Sequence, residues 1–214
     1  MKHLYKESFD LLKTGDLVFY RPTKHTKTLN WVVDKIKTCL YRSPYVYVGI
    51  LEKIGREYYV IGTHDILELL DRVLRERDVD IYRVTRDTNV RLEYDTENDT
   101  IEAHTYTFDG DFVAMKVREQ LGKTPCWTNS LRFWIGRLFG YNQFSNDEQI
   151  MKVVNCATVL EYAFNEVGYD FCPRVSPNYA TLDILSRSSL IDYLFTLRCN
   201  ADQYQNQSIS KGVQ

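Results

Sequence analysis

The sequence has no apolar run long enough to cross a bilayer, and its first ten residues lack the uninterrupted apolar stretch of a signal peptide. The formal net charge of −2 over 214 residues gives no basic surplus, so the sequence lacks a general nucleic-acid footprint. We therefore expect cytoplasmic synthesis, no transmembrane segment and no specific nucleic-acid partner.

Paired cysteines and clustered histidines are missing as well. The five cysteines, at positions 39, 126, 156, 172 and 199, are odd in number and contain no Cys-x-x-Cys pair, and the four histidines are scattered. This distribution argues against a disulfide framework and against a structural zinc site. Reduced thiols agree with cytosolic synthesis, and the sequence gives no reason to expect a metal or another cofactor.

The composition is that of an ordinary globular protein, with 44% hydrophobic and 26% charged residues. The length fits a single domain over residues 1–199, in which residues 85–110 form a surface loop or an added hairpin. Residues 200–214 are a polar tail. The 16 tyrosines favour a protein that packs against protein partners, because tyrosine combines an apolar ring with a polar tip.

Hydrophobic periodicity predicts an α+β fold. Alternating residues predict one mainly antiparallel sheet built from residues 15–20, 45–52, 57–63, 79–84 and 192–197. Helical spacing predicts helices over 28–40, 67–77, 112–121 and 156–168, and a short capped helix over 176–185. The first of these helices carries an apolar side made of Leu29, Val32, Val33, Ile36 and Leu40.

Cys156 is the candidate nucleophile. It precedes Ala-Thr-Val-Leu-Glu-Tyr-Ala-Phe, an amphipathic helical pattern that stops at a glycine. The unpaired N–H groups at a helix N-terminus carry partial positive charge, which favours a thiolate and can stabilise an oxyanion. A thiol at this place is therefore typical of a catalytic cysteine. The strand that should hold a partner histidine, Ser-Pro-Tyr-Val-Tyr-Val-Gly-Ile over residues 43–50, contains none.

Three short motifs in this order, Gly-Asp-Leu-Val-Phe-Tyr from Gly15, Tyr-Val-Gly-Ile from Tyr47 and Asn-Cys-Ala-x-x-Leu-Glu-Tyr-Ala-Phe from Asn155, carry a resemblance. The chain resembles the circularly permuted NlpC/P60 papain-like superfamily, and it is most similar to the YiiX-like and poxviral members. The resemblance implies an antiparallel sheet or partial barrel packed against the helix after Cys156. It also implies chemistry at amide, peptide or ester bonds, in peptides or lipids.

Carried onto this sequence, the resemblance makes Cys156 the nucleophile, puts Tyr47 where the family has its general-base histidine, and puts the orienting residue near Gly62. Tyrosine, with an ordinary pKa of about 10, cannot deprotonate a thiol near neutral pH, and glycine has no orienting side chain. Asp16 and Asn155, which lie in the matched motifs, are the candidate substrate-binding residues.

Two functional hypotheses follow. The first is a catalytically degenerate scaffold that binds protein partners in a larger assembly. Since the superfamily occurs in large DNA viruses, a virion is one assembly that the resemblance suggests. The second is an active cysteine hydrolase or acyltransferase with His64 as an atypical base. A hairpin that turns about Gly55 pairs residues whose numbers sum to about 109 to 111, so the residue opposite Tyr47 is 62, 63 or 64, and His64 is one of these three.

An aromatic and basic stretch over residues 131–140 leaves a further alternative open. Helical packing on the core is its ordinary interpretation, and a peripheral lipid contact through Phe133, Trp134 and Phe139 is the other.

Overall fold

The computed structural model of the protein describes residues 9–23, 29–62, 67–119, 156–173 and 180–199. Its centre is a six-stranded sheet built from β1 (Leu17–Tyr20), β2 (Tyr47–Ile54), β3 (Glu57–Ile61), β4 (Glu68–Leu69), β5 (Val79–Val84) and β8 (Ile191–Leu197). The strand order is β4-β3-β2-β1-β5-β8, and every neighbouring pair is antiparallel. The predicted five-segment sheet is confirmed, and β4 is added at its edge.

The remaining strands, β6 (Thr88–Asp95) and β7 (Thr100–Thr107), pair only with each other within the described ranges. The helices are α1 (Leu29–Tyr41), α2 (Leu70–Val73), α3 (Gly110–Glu119), α4 (Cys156–Glu166) and α5 (Leu182–Ser186). None of the described helices is long and apolar enough to cross a membrane. The structure is therefore a mixed α+β fold with an antiparallel sheet, as predicted.

Both faces of the large sheet are buried, because side chains along each strand point alternately to the two faces. On one face Leu17, Phe19, Val48 and Ile50 pack with α3, α4 and α5. On the other face Val18 and its neighbours pack with Leu70, Val73 and Leu74 around α2. The register aligns these sets, since β1 and β2 pair Leu17 with Ile50 and Phe19 with Val48. α4 therefore lies directly over the middle of the sheet.

The segment from residue 67 to residue 77 differs from the predicted helix. It begins with the two residues of β4, which pair with Tyr59 and Val60 of β3. A single helical turn, α2, follows, and residues 74–76 form turns. Pairing with the edge of the sheet takes up the first part of the segment, and the last part must turn into β5. One helical turn is enough to bury Leu70, Val73 and Leu74.

Residues 85–110 contain the hairpin of β6 and β7, one of the two structures predicted for this segment. Its polar side chains fasten it to the end of α4, because Asn89 donates to the Gly168 carbonyl (2.6 Å) and Arg91 donates to the Asn165 side-chain oxygen (2.6 Å). The Tyr106 ring lies where a side chain at Gly168 would be, and Gly168 ends α4 with a positive φ of 84°. Glycine is suited to both requirements.

α1 has the predicted extent, but its apolar side does not face the core. Leu29, Val32, Val33 and Ile36 are all exposed. The buried side chain is that of Asp34, which accepts hydrogen bonds from the Thr23 backbone N–H (2.8 Å) and from Arg77 (3.2 Å). The acidic side is the one that packs, since these two bonds turn it toward the body.

Candidate functional site

Cys156 is the first residue of α4 and lies against β2, as the sequence analysis predicts. It belongs to the same buried cluster as Tyr45 and Val48, and only 7% of its surface is exposed. β2 lies between β1 and β3 in the sheet, and the first residue of α4 packs against it. The thiol is thus placed at a helix N-terminus beside the second strand, but it is enclosed.

The enclosure decides the protonation state of Cys156. Burial raises the pKa of the thiol from its ordinary value of 9.0 to about 11, although several groups oppose this. The largest opposing effect comes from the backbone N–H of Val48, followed by the positive charge of Lys37 and by the N–H groups of Ala157 and Cys156 itself. The predicted preference of the helix terminus for an anion is present, but desolvation outweighs it. The group is a thiol near neutral pH.

Tyr47 is half-buried at the start of β2, with its ring centroid 5.0 Å from that of Tyr20, the residue opposite it on β1. Alternation along β2 puts Tyr47 on the face that carries Tyr20, while Val48 points toward α4. Because Tyr47 begins the strand, its side chain also borders the cluster that contains Cys156. The tyrosine therefore lies at the edge between the two buried layers.

Gly62 has no room for a side chain, because a Cβ atom at this position would collide with the Tyr47 hydroxyl oxygen and the ring carbon that bears it. The phenol thus takes up the space in which an orienting side chain would begin. In the β2–β3 hairpin, Ile50 pairs with Ile61 and Ile54 pairs with Glu57. The numbers of paired residues therefore sum to 111, the upper end of the range of 109 to 111 predicted for this hairpin. Tyr47 and Gly62 are diagonal neighbours in this register.

A small cavity of about 160 Å³ opens beside Tyr47. Its polar lining consists of Tyr20, Lys37, Tyr47, Glu68, Glu76 and Arg77, and Cys156 is not one of the described lining residues. The Tyr20 hydroxyl donates to Glu68 (3.5 Å), and burial, then the Glu68 charge, raises the pKa of Tyr20 well above its ordinary value. The lining can bind a small polar group, but its described members include no imidazole that could activate a thiol.

Asp16, a predicted substrate-binding residue, is buried just before β1. Its two carboxylate oxygens accept hydrogen bonds from Arg83 at 2.6 and 2.7 Å, and one also accepts from the Lys13 backbone N–H at 2.8 Å. This bidentate pair ties β1 to β5, which gives the carboxylate a structural contact within the protein. Its role toward a substrate stays a prediction.

Several predicted residues lie outside the described ranges. They are His64, the alternative base; Asn155, the second substrate-binding candidate; and Phe133, Trp134 and Phe139, the candidates for lipid contact. Their proposed roles stay predictions, and so does that of the tail over residues 200–214.

Sequence reasoning missed a second buried titratable group on α4. Glu161 is wholly enclosed, and burial, then the neighbouring Asp170 carboxyl, raises its pKa to about 8, while the thiol and backbone N–H of Cys172 oppose the rise. Asp170 also accepts the Cys172 backbone N–H at 2.9 Å. The available signal was a single carboxylate, Glu161, among the first nine residues of a helix whose other charged residue is Glu166 at its end.

The described residues contain no group of three or more His, Cys, Asp or Glu side chains placed to hold a metal ion. Of the described residues, Cys39, Cys156, Cys172 and Cys199 are cysteines, and none of them is in a disulfide. The chemistry available at α4 is therefore that of two protonated groups, a thiol at its first residue and a carboxylic acid one and a half turns further on.

Of three comparisons with known proteins, the one with solved structures found a similar fold. No protein-family model matches the sequence, and no curated protein matches it. The structure is similar to the crystal structure of the metalloprotein YiiX (DUF1105) from Escherichia coli O157:H7, with a TM-score of 0.50 and 12% sequence identity. The match covers 87% of this chain and 98% of the YiiX chain. At this identity the likeness concerns the fold alone: this protein has a fold similar to that of YiiX.

Proposed function

We propose that this chain is a permuted papain-like scaffold without thiol catalysis, which acts by binding protein partners in a larger assembly. The observation that carries the proposal is the enclosed thiol of Cys156, with its pKa raised to about 11 by burial. At pH 7 a thiol with that pKa is ionised in only about one molecule in ten thousand, and the thiolate is the nucleophile. An efficient cysteine hydrolase needs a far larger anionic fraction.

The neighbours of Cys156 support the same interpretation. Tyr47 occupies the position that the resemblance gives to the general base, and its hydroxyl fills the space beside Gly62 where an orienting residue would stand. A change at either position alone would not rebuild the pair of side chains that a papain-like nucleophile requires. Both departures belong to one packed arrangement, which we interpret as Tyr47 having replaced the catalytic histidine and closed its cleft.

The proposal includes protein partners and synthesis in the cytoplasm. None of the four cysteines in the described ranges is in a disulfide, which accords with a compartment where cysteines stay reduced. Since the cavity beside Tyr47 holds only about 160 Å³, binding of a macromolecule would use exposed surfaces rather than this cavity.

Titration of the thiolate tests the proposal. Absorbance near 240 nm is followed against pH, with Cys156→Ser as the blank. We expect a Cys156 pKa well above 9 in the wild type, because burial outweighs the groups that favour the thiolate. Iodoacetamide should label exposed Cys39 faster than Cys156 at every pH below 9.

The opposite result would favour the active hydrolase. A wild-type pKa below about 7 that returns to an ordinary value in His64→Ala, while Tyr47→Phe changes it little, would overturn the scaffold proposal and identify His64 as the base.

A further inference from the structure

The outward face of the β6–β7 hairpin is apolar. Val90, Leu92, Tyr94 and Ile101, which we call the hairpin surface, are 60%, 69%, 60% and 69% exposed. The register places Tyr94 opposite Ile101 and Leu92 opposite Ala103, so these side chains share one face. The opposite face carries Asn89, Arg91 and Tyr106, which hold the hairpin to the body.

The hairpin surface is bordered by acidic groups. Residues 88–107 contain five carboxylates against one arginine, although the whole chain has a net charge of only −2. Asp95, Glu97 and Asp99 are concentrated at the turn end. A complementary surface would therefore be apolar and bordered by cations.

α1 presents such a surface on the same chain. Leu29, Val32, Val33 and Ile36, which we call the helix surface, follow the i, i+3, i+4, i+7 spacing of one helical stripe and are 78%, 45%, 39% and 54% exposed. The exposed Lys35 lies beside the stripe, since each residue advances by about 100° around the axis, whereas Lys37 lines the cavity beside Tyr47. Asp34, the one acid of α1, is buried on the opposite side with Arg77.

The two surfaces lie at opposite ends of the large sheet. α1 follows the end of β1 at Tyr20, which pairs with Val79, the first residue of β5. The hairpin follows the last residue of β5, Val84, so the length of that strand, roughly 17 Å, separates the two attachment points. This separation keeps the two surfaces of one molecule apart and makes them available to different neighbours.

We propose that the helix surface of one molecule docks on the hairpin surface of a second copy of this chain, with Lys35 facing the acidic turn. Such a contact joins unlike patches, so it is heterologous and propagates from head to tail into a ring or a filament. Contiguous exposed apolar patches with complementary charge are typical of protein interfaces. The inference does not depend on whether Cys156 is catalytically silent.

Sedimentation velocity of the full-length chain between 5 and 500 µM, a range suited to contacts of micromolar affinity, tests the proposal. The mean mass should rise with concentration above the 25.2 kDa of one chain. Leu92→Thr/Ile101→Thr on the hairpin and Val33→Gln/Ile36→Gln on α1 should each weaken association at least tenfold, and Lys35→Glu about fivefold. The matched control is Ile54→Thr/Met115→Gln, which removes two exposed apolar side chains elsewhere and should change nothing.

Mixing the two double variants distinguishes the geometry. Each retains one intact half of a head-to-tail contact, so we expect monomers of each alone and a capped species of two chains in the mixture. If near-ultraviolet circular dichroism shows that the hairpin variant has lost its fold, Val90→Thr/Tyr94→Thr takes its place. A wild type that stays monomeric to 500 µM would overturn the inference. Association of either double variant alone that is as strong as that of the wild type would overturn it as well.

Discussion

The two sheets of this protein use alternating side chains in opposite ways. In the six-stranded sheet the side chains on both faces are buried, so that Val18 and Phe19, neighbours in β1, enter different apolar layers. In the two-stranded sheet the polar set faces the body, through Asn89 and Arg91, and the apolar set with Leu92 faces outward. The comparison teaches that alternation identifies a strand but does not say which of its faces will pack.

α1 repeats the pattern of the small sheet. Its acidic residue is inside, held by an ion pair with Arg77, and its apolar stripe is outside. A buried polar side chain can thus orient an amphipathic helix with its apolar side toward solvent, if the rest of the protein supplies its hydrogen-bond partners. Elements oriented in this way leave apolar surface for another molecule.

The largest expected difference between the two sheets is in stability. Phe19→Ala removes a fully buried ring whose centroid lies 4.9 Å from those of Tyr45 and Tyr82, and should cost about 3–5 kcal/mol in the free energy of unfolding. Leu92→Ala, on the exposed face of the hairpin, should cost less than about 0.5 kcal/mol. Urea denaturation of both variants checks this, and equal losses would contradict the distinction.

Glu161, the enclosed carboxylic acid of α4, should make the free energy of unfolding depend on pH. The pKa of Glu161 is raised from 4.5 to about 8, so between these values the folded protein holds a proton that the unfolded chain has lost. Its contribution to stability is complete below pH 4.5 and is lost as the pH rises toward and through 8. The loss between pH 5 and pH 8 should be on the order of 3 kcal/mol.

Glu161→Gln keeps the shape of the neutral acid and cannot ionise. We expect the variant to match the wild type at pH 5 and to exceed its melting temperature at pH 8, as measured by differential scanning calorimetry in matched buffers. Parallel curves of melting temperature against pH for the two proteins would show that this carboxyl does not titrate in the window.

The close approach of Tyr47 to Gly62 should appear as a coupled pair. Gly62→Ala puts a methyl group into the space of the Tyr47 hydroxyl and should cost about 2 kcal/mol, because the ring packs on Tyr20 and must shift. In a Tyr47→Leu background, which removes the colliding atoms, the same change should cost less than half as much. A double-mutant cycle by urea denaturation measures the coupling, and additive losses would mean that the two positions are independent.

The smallest expected effect concerns the attachment of the hairpin. Arg91→Ala removes the bond to Asn165 and should loosen the small sheet by about 1 kcal/mol without unfolding the large one. Hydrogen exchange should show faster exchange over residues 88–107 and unchanged exchange in β1 and β2. Lys116→Ala, which removes partly exposed ion pairs to Glu119 and Glu166, is the control and should leave hairpin exchange unchanged. Equal acceleration in both sheets would refute their separate stability.

Local sequence determined much of the fold. Apolar alternation, the glycine at position 55 and the helical spacing after Cys156 predicted the five main strands, the turn between β2 and β3 and the helix α4. The periodicity of apolar residues reports these features directly, even though strands such as β5 and β8 pair across more than a hundred residues of chain. The motif order likewise placed Cys156 at a helix N-terminus beside β2, which the structure confirms.

Only the tertiary structure decided the properties that depend on residues far apart in sequence. The enclosure that raises the pKa of Cys156 comes from β2 and its neighbours, more than a hundred residues upstream, and the shift of Glu161 depends on how Asp170 folds back against α4. The outward orientation of α1 depends on Arg77 and Thr23 reaching Asp34. Sequence periodicity reports which residues share a face of an element, whereas burial and protonation depend on what the rest of the chain brings against that face.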